Sequence, residues 1–275
     1  MPELPEVETV VRGLARRMVG HRLTGVELKR GDLRWRIPKT LPQKAQGQAI
    51  SAVDRRAKYI LIRLGDGGVL LLHLGMSGRL LLMERGDETP LDRHDHVLMT
   101  LDDGTRIRFN DVRRFGVLDY VRAEALPKHK LLKGLGPEPL DPGFTGAVLA
   151  AALRGKRTPL KAALSDQRVV AGLGNIYVCE ALFQAELSPK RLARTVNAER
   201  AERLVAAIKD VLGRAVAAGG SSIRDYVQAT GELGYFQHHW AVYDHEGEPC
   251  PRCRGVIKRI VQSGRSTFYC SKCQR

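Results

Sequence analysis

No stretch of this 275-residue sequence approaches the roughly eighteen consecutive apolar residues of a membrane-spanning helix, so no membrane partner is expected. Internal repeats and low-complexity tracts are absent too, and 43% hydrophobic with 27% charged residues is the composition of a folded chain, which argues against disorder. Positive charge is missing from the amino terminus. There, Met1-Pro2-Glu3-Leu4-Pro5-Glu6 places carboxylates where a secretory signal needs lysine or arginine. The expectation is a cytoplasmic protein in a reducing compartment. Cysteine is scarce: there are five in all, and four of them fall in the last twenty-six positions. A disulfide framework is therefore not expected.

Acidic residues are the other shortage. There are 30 of them against 45 lysines and arginines, a formal net charge of +15, and a field of that sign recruits polyanions. Nucleic acid is the leading candidate partner, with a merely soluble basic protein as the alternative. Residues 250–275 carry Arg252, Arg254, Lys258, Arg259, Arg265, Lys272 and Arg275 and no carboxylate, nearly half the net charge.

The length suits one or two domains plus a metal-stapled appendage. Val7, Val10, Val11, Leu14 and Met18 recur at helical spacing within residues 3–20, with Gly20 as the stop, which predicts an amphipathic first helix. From about 22 to 121 the texture is β-rich, with short runs at 58–64, 69–74, 97–101 and 105–109 separated by turn signals at 65–68 and 102–104. That pattern predicts an antiparallel sandwich or barrel. Residues 135–143 are rich in proline and glycine and read as a linker. Helical composition returns at 147–153, 159–164, 176–187 and 198–218. The boundaries that follow are a β-sandwich over 1–130, a linker over 131–145, a helical domain over 146–243 and a ribbon over 244–275.

Cys250 and Cys253 are two residues apart, as are Cys270 and Cys273, with sixteen between the pairs. This is the spacing of two knuckles closing on one tetrahedral metal. Four thiolates in a short segment suit one structural zinc, which such a segment needs in order to fold. Cys179 stands alone in an apolar helix and reads as a small core residue. Between the knuckles, 256–261 and 267–269 alternate as two strands, which puts Arg265 at or near the hairpin tip, positioned to fork a phosphate. Asn175, where a helix should begin, reads as an N-cap.

At the other end, the prolines and carboxylates of 2–6 have a structural explanation as the first turn of a helix. They also have a chemical one. Removal of Met1 would leave Pro2 as a secondary amine of pKa about 8, partly neutral and nucleophilic at physiological pH. Glu3 and Glu6 would then be adjacent carboxyls for proton transfer.

The strings Met1-Pro2-Glu3-Leu4-Pro5-Glu6-Val7-Glu8-Thr9, His73-Leu74-Gly75-Met76-Ser77-Gly78, Asp111-Val112-Arg113-Arg114-Phe115-Gly116 and Gly172-Leu173-Gly174-Asn175-Ile176-Tyr177 occur in that order ahead of the ribbon. Together they resemble the bacterial formamidopyrimidine-DNA glycosylase family over essentially the whole chain. The resemblance implies an α+β multidomain protein: an N-terminal β-sandwich with the amphipathic first helix, a helical domain with a helix-two-turn-helix, and a C-terminal zinc ribbon. It implies action on double-stranded DNA that contains an oxidised base, in the bacterial cytoplasm and nucleoid-associated; a monomer is the default expectation, since one lesion site is wrapped and nothing in the sequence marks an obligate interface. The activity implied is excision of oxidised purines such as 8-oxoguanine and formamidopyrimidines, then strand cleavage by β,δ-elimination.

By the same resemblance Pro2 attacks the sugar C1′ and forms a Schiff base, Glu3 donates the proton that opens the sugar, and Glu6 supports the site. Lys58 matches the family's active-site lysine. Met76, Arg113 and Phe115 match a triad that fills the gap left by the flipped nucleotide, a device that base flipping requires. Asn175 and Arg265 match the pair that grips phosphates flanking the lesion. His94, Lys161 and Arg224 match further positions facing DNA or the damaged base, although the family often has lysine where Arg224 stands. The glycine-containing stretch 228–237 matches a loop that folds over the flipped base. Two alternatives stay open: an endonuclease VIII-type enzyme for oxidised pyrimidines, and a non-catalytic zinc-ribbon protein that binds nucleic acid.

Overall fold

The computed structural model describes residues 1–221 and 235–275, which fall into two compact units, one of Met1–Lys133 with Ala218–Tyr235 and one of Gly134–Ala217 with Phe236–Arg275. Arg224 and residues 228–234 lie outside the described residues.

The first unit opens with helix α1 (Leu4–Met18), followed by β1 (Leu23–Leu28), the short α2 (Leu41–Ala45), β2 (Ile50–Arg56), β3 (Tyr59–Leu64), β4 (Gly68–His73), β5 (Arg79–Met83), β6 (Asp95–Leu101), β7 (Arg106–Asn110) and β8 (Val117–Arg122). The strands make two antiparallel four-stranded sheets, ordered β1-β6-β7-β5 and β2-β3-β4-β8. Their facing side chains share one core, including Val97, Met99, Ile107 and Phe109 from the first sheet and Ile60, Ile62, Leu70 and Leu72 from the second. This is the sandwich that the alternating runs predict. Helix α1 turns Val7, Val10, Leu14 and Met18 into the same core, each at most 1% exposed. Full burial of such a side chain stabilises by roughly 1.5–3 kcal/mol.

Residues 69–74 do not alternate, because the second sheet is covered on both faces. Leu61, Val69, Leu71 and Val121 point away from the main core and pack with Leu126, Leu131 and Leu132. β6 begins two residues earlier than its apolar pattern suggests, since Asp95 and His96 are buried polar residues.

The second unit contains α3 (Gly146–Leu153), α4 (Leu160–Ser165), α5 (Asn175–Gln184), α6 (Ala198–Ala217) and a hairpin of β9 (Ile257–Gln262) and β10 (Arg265–Cys270). Residues 135–143 form neither helix nor strand. α5 ends earlier than its composition suggests, at a left-handed Glu186 (φ 59). It anchors the ribbon: the buried Glu180 accepts the backbone N–H groups of Ala241, Val242 and Tyr243 at 2.8, 3.0 and 2.8 Å. Cys179 and Phe183 pack beside it with Val242, Ile257 and Phe268, so Cys179 is a small core residue as expected.

Candidate active site and nucleic-acid interface

α1 begins immediately after Pro2 and Glu3. Glu3, in extended conformation (φ −103), occupies the N-cap position, and its backbone N–H donates to Glu6 Oε2 at 2.8 Å. The second Glu6 oxygen accepts the Ser221 N–H at 2.8 Å. The preceding Gly220 (φ +80) approaches so closely that a Cβ there would lie 3.0 Å from Glu6 Oε1. Glu6 is 0% exposed, and both its oxygens hold backbone. The two carboxylates form a capping box, in which the Glu3 side chain accepts the Glu6 N–H; Glu6 uses both oxygens on backbone, and Glu3, 3% exposed, stands next to Pro2.

Lys58 sits in the two-residue connection between β2 and β3 beside Ala57, whose φ of +52 is left-handed. Arg55 supports this turn, donating to the Ala57 carbonyl at 3.0 Å and pairing with Glu8 of α1 at 2.8 Å. Lys58 is 6% exposed. Its charge reaches His73, a residue that sequence reasoning leaves without a role. Burial first, then Lys58 and Arg34, push the imidazole pKa down to about 4. Neutral at physiological pH, His73 accepts the Gly75 N–H through Nδ1 at 2.9 Å and so joins the lysine to the loop that carries Met76. The signal available in the sequence is its place directly ahead of that loop.

Two loops present the triad. Met76, 36% exposed, and Phe115, 41% exposed, face outward rather than into the core, and the Arg113 guanidinium lies 4.9 Å from the Phe115 ring centroid. The frame behind them is buried. Ser77 Oγ donates to Asp111 Oδ1 at 2.7 Å and accepts from Arg113 N at 3.0 Å, and Asp111 Oδ2 accepts from Gly116 N at 2.7 Å. Gly75 (φ +64) admits no side chain, since a Cβ would stand 2.4 Å from the Phe115 carbonyl carbon. His94 belongs to the same frame through its carbonyl, which accepts Asp111 N at 3.0 Å, while its ring accepts Arg93 Nε at 2.9 Å.

In the second unit the N-cap of α5 is Gly174, and Asn175 is the first helical residue. The N-cap expectation for Asn175 is thus corrected, for a physical reason: its side chain is committed elsewhere. Asn175 Oδ1 accepts from Lys161 Nζ at 2.6 Å and its Nδ2 donates to the Ser266 carbonyl at 2.9 Å. Lys161 is 2% exposed, behind Asn175 rather than on the surface. Arg265, exposed, follows the two-residue turn Ser263-Gly264, whose positive φ angles (51 and 72) are those of a tight hairpin. Lys161, Asn175, Ser266 and Arg265 therefore form one connected group.

At the other end of the hairpin Cys250, Cys253, Cys270 and Cys273 bring four sulfurs within 4.8 Å of one another. Cys253–Cys270 and Cys250–Cys273 are separated by 3.5 and 3.9 Å. Sulfurs placed tetrahedrally at about 2.3 Å from zinc stand about 3.8 Å apart, so the donors present fit one structural zinc.

A two-sheet unit opened by a proline-led helix, in one chain with a helical unit carrying a four-cysteine ribbon, is the arrangement of the zinc-ribbon class of helix-two-turn-helix DNA glycosylases. Residues 1–118 match the formamidopyrimidine-DNA glycosylase N-terminal domain, 135–227 the formamidopyrimidine-DNA glycosylase H2TH domain and 247–275 the zinc finger found in FPG and IleRS. The chain belongs to the formamidopyrimidine-DNA glycosylase family. It is 55% identical over 283 residues to the formamidopyrimidine-DNA glycosylase of Cereibacter sphaeroides and 56% identical over 280 residues to that of Acidiphilium cryptum, with 100% of each chain covered. The MutM (Fpg) protein of Thermus thermophilus superposes with a TM-score of 0.89 at 41% identity, over 99% of this chain and 98% of that one. A Lactococcus lactis Fpg in complex with N7-benzyl-Fapy-dG containing DNA gives 0.91 at 34% identity, with 100% of both chains covered. Among the described residues no helix is long and apolar enough to cross a membrane.

Proposed function

We propose that this chain excises oxidised purines, formamidopyrimidines and 8-oxoguanine among them, from double-stranded DNA and then cleaves the abasic strand. The observation that carries the site assignment is at the N-terminus: both Glu6 oxygens are taken by the backbone of Glu3 and Ser221, and Glu3 is the carboxyl adjacent to Pro2.

After removal of Met1, the Pro2 amine attacks C1′ of the flipped nucleotide and the damaged base departs with the glycosidic electron pair. Glu3 protonates the sugar ring oxygen, the ring opens, and the nitrogen–carbon bond becomes an iminium. The iminium acidifies the C2′ hydrogen, so loss of that proton expels the 3′ phosphate. A second elimination expels the 5′ phosphate. Lys58 supplies positive charge where phosphate leaves, and His73 couples it to the Met76 loop. Met76, Arg113 and Phe115 fill the vacated stack, which offsets part of the few kcal/mol that flipping costs. Asn175 and Arg265 grip phosphates, with Lys161 positioning Asn175, and His94 supports the loop frame. Arg224, which lies outside the described residues, is given a DNA contact on the resemblance alone. Zinc takes no part in the chemistry; it folds the ribbon.

The protein works as a monomer on one lesion site, nucleoid-associated in the cytoplasm. By sequence we read its domains as 1–130, 146–243 and 244–275 about a linker at 131–145. End-group analysis tests the reading: a duplex carrying 8-oxoguanine opposite cytosine should yield a one-nucleotide gap with phosphate on both ends. Release of base without strand cleavage would contradict it.

A further inference from the structure

Six cations meet in a pocket of the second unit that none of the proposed lesion contacts uses. Arg191, Arg200, Arg203, Arg252, Lys272 and Arg275 line a concavity of about 500 Å3 with a single side-chain carboxylate, Glu186. Arg252 takes that carboxylate at 2.9 Å and lies 4.6 Å from the Phe183 ring centroid. Arg203 Nε donates to the Ala185 carbonyl at 2.9 Å and Arg191 Nε to the Arg275 main-chain oxygen at 3.3 Å. These bonds hold two guanidiniums in place.

Among the described residues Arg191, Arg200, Arg203, Lys272 and Arg275 form no ion pair with a side-chain carboxylate. Burial, and then repulsion from Arg200, lower the pKa of Arg191. Cations gathered in such excess in one concavity raise the free energy of the unliganded protein, and an anion relieves that repulsion.

The place of the pocket separates it from the lesion contacts. Asn175 is the first residue of α5, and Glu186 lies just beyond its last, Gln184. Ten helical residues at 1.5 Å put the two about 15 Å apart. The hairpin gives the same measure: Arg265 is beside its turn, whereas Arg252 and Lys272 lie within the two cysteine knuckles at its other end. A phosphate gripped at Asn175 and Arg265 cannot also occupy this pocket.

We infer that the pocket is a second phosphate-binding site, which takes the backbone of a DNA segment other than the one held at Asn175 and Arg265. Five of the six cations are arginines, whose forked donors match phosphate oxygens. Beside the charged side chains the lining holds only Leu187, 1% exposed, and Cys253 and Cys273 of the ribbon. That surface suits sequence-independent backbone contact. It lacks the apolar pockets by which peptide-binding grooves select side chains. A protein with two such sites holds two DNA segments at once and can pass between them while searching.

The test loads the full-length, zinc-bound protein with one equivalent of a short duplex containing a stable abasic-site analogue, then titrates in a fluorescent lesion-free duplex at low salt. The unmodified protein forms a ternary complex. Arg191→Glu combined with Arg200→Glu weakens the second duplex at least about tenfold and leaves the first within about twofold. Both side chains are partly exposed, and a glutamate at 200 suits the first turn of α6, so folding is retained. Replacing both arginines with glutamine gives a smaller loss in the same direction. Failure of the second duplex to bind, or equal binding by protein and variants, overturns the inference. Capture of polyglutamate or inorganic phosphate at the pocket without capture of a second duplex overturns it as well.

Discussion

The Ser77 hydroxyl donates to Asp111 Oδ1 at 2.7 Å, and this bond ties the loop that carries Met76 to the loop that carries Arg113 and Phe115. Asp111 is 0% exposed, and its second oxygen holds Gly116 N. Ser77→Ala would strand a buried carboxylate oxygen and the Arg113 N–H, at a cost of about 1–3 kcal/mol in urea unfolding. Excision of 8-oxoguanine from a duplex should fall about tenfold or more, and cleavage of a preformed abasic site, which flips more easily, should fall less. Equal losses on the two substrates would show that the bond does not serve flipping.

Glu6→Gln tests the clamp at the N-terminus. A glutamine offers one acceptor and one donor where the structure needs two acceptors, so either Glu3 N or Ser221 N loses its partner. The displaced Glu3 should lower kcat by about 10- to 100-fold with a smaller change in DNA affinity, as misplacement of a reacting group does. An unchanged kcat would remove Glu6 from the site.

His73 makes stability depend on pH. Its folded-state pKa, about 4, lies below the ordinary 6.5, so between those values the unfolded chain binds the proton and the folded one does not. Its contribution is fully present above about pH 6.5 and is lost as pH falls toward 4. The shift corresponds to at most about 3 kcal/mol. Urea unfolding between pH 7 and 4.5 should show the unmodified protein losing more stability than His73→Asn; parallel curves would contradict the assignment.

Arg265→Ala should weaken DNA binding across sequences and reduce the salt slope of the binding constant by about one unit. Chelation of zinc should produce a larger loss, because it dissolves the hairpin that presents Arg265. An unchanged slope in the variant would show that Arg265 makes no phosphate contact.

Much of this architecture was legible in local pattern. Cysteine spacing, the helical periodicity of Val7 to Met18 and the alternating strands depend on neighbours in sequence, and each reappears in the structure. What was not legible depends on partners far along the chain. Ser221 completes the Glu6 clamp from 215 positions away. Asn175 reads as a cap until Lys161 and Ser266 are seen to occupy its side chain, leaving the cap to Gly174. The unbroken apolar run of β4 is explained only by the second cluster around Leu126.

The central claim is that the catalyst is the Pro2 amine. Borohydride reduction during reaction with a duplex carrying 8-oxoguanine opposite cytosine, followed by peptide mass spectrometry, tests it directly. The account predicts a covalent adduct on Pro2 of a chain lacking Met1, and none when Met1 is retained. An active protein that gives no adduct, or gives one at Lys58, would contradict it.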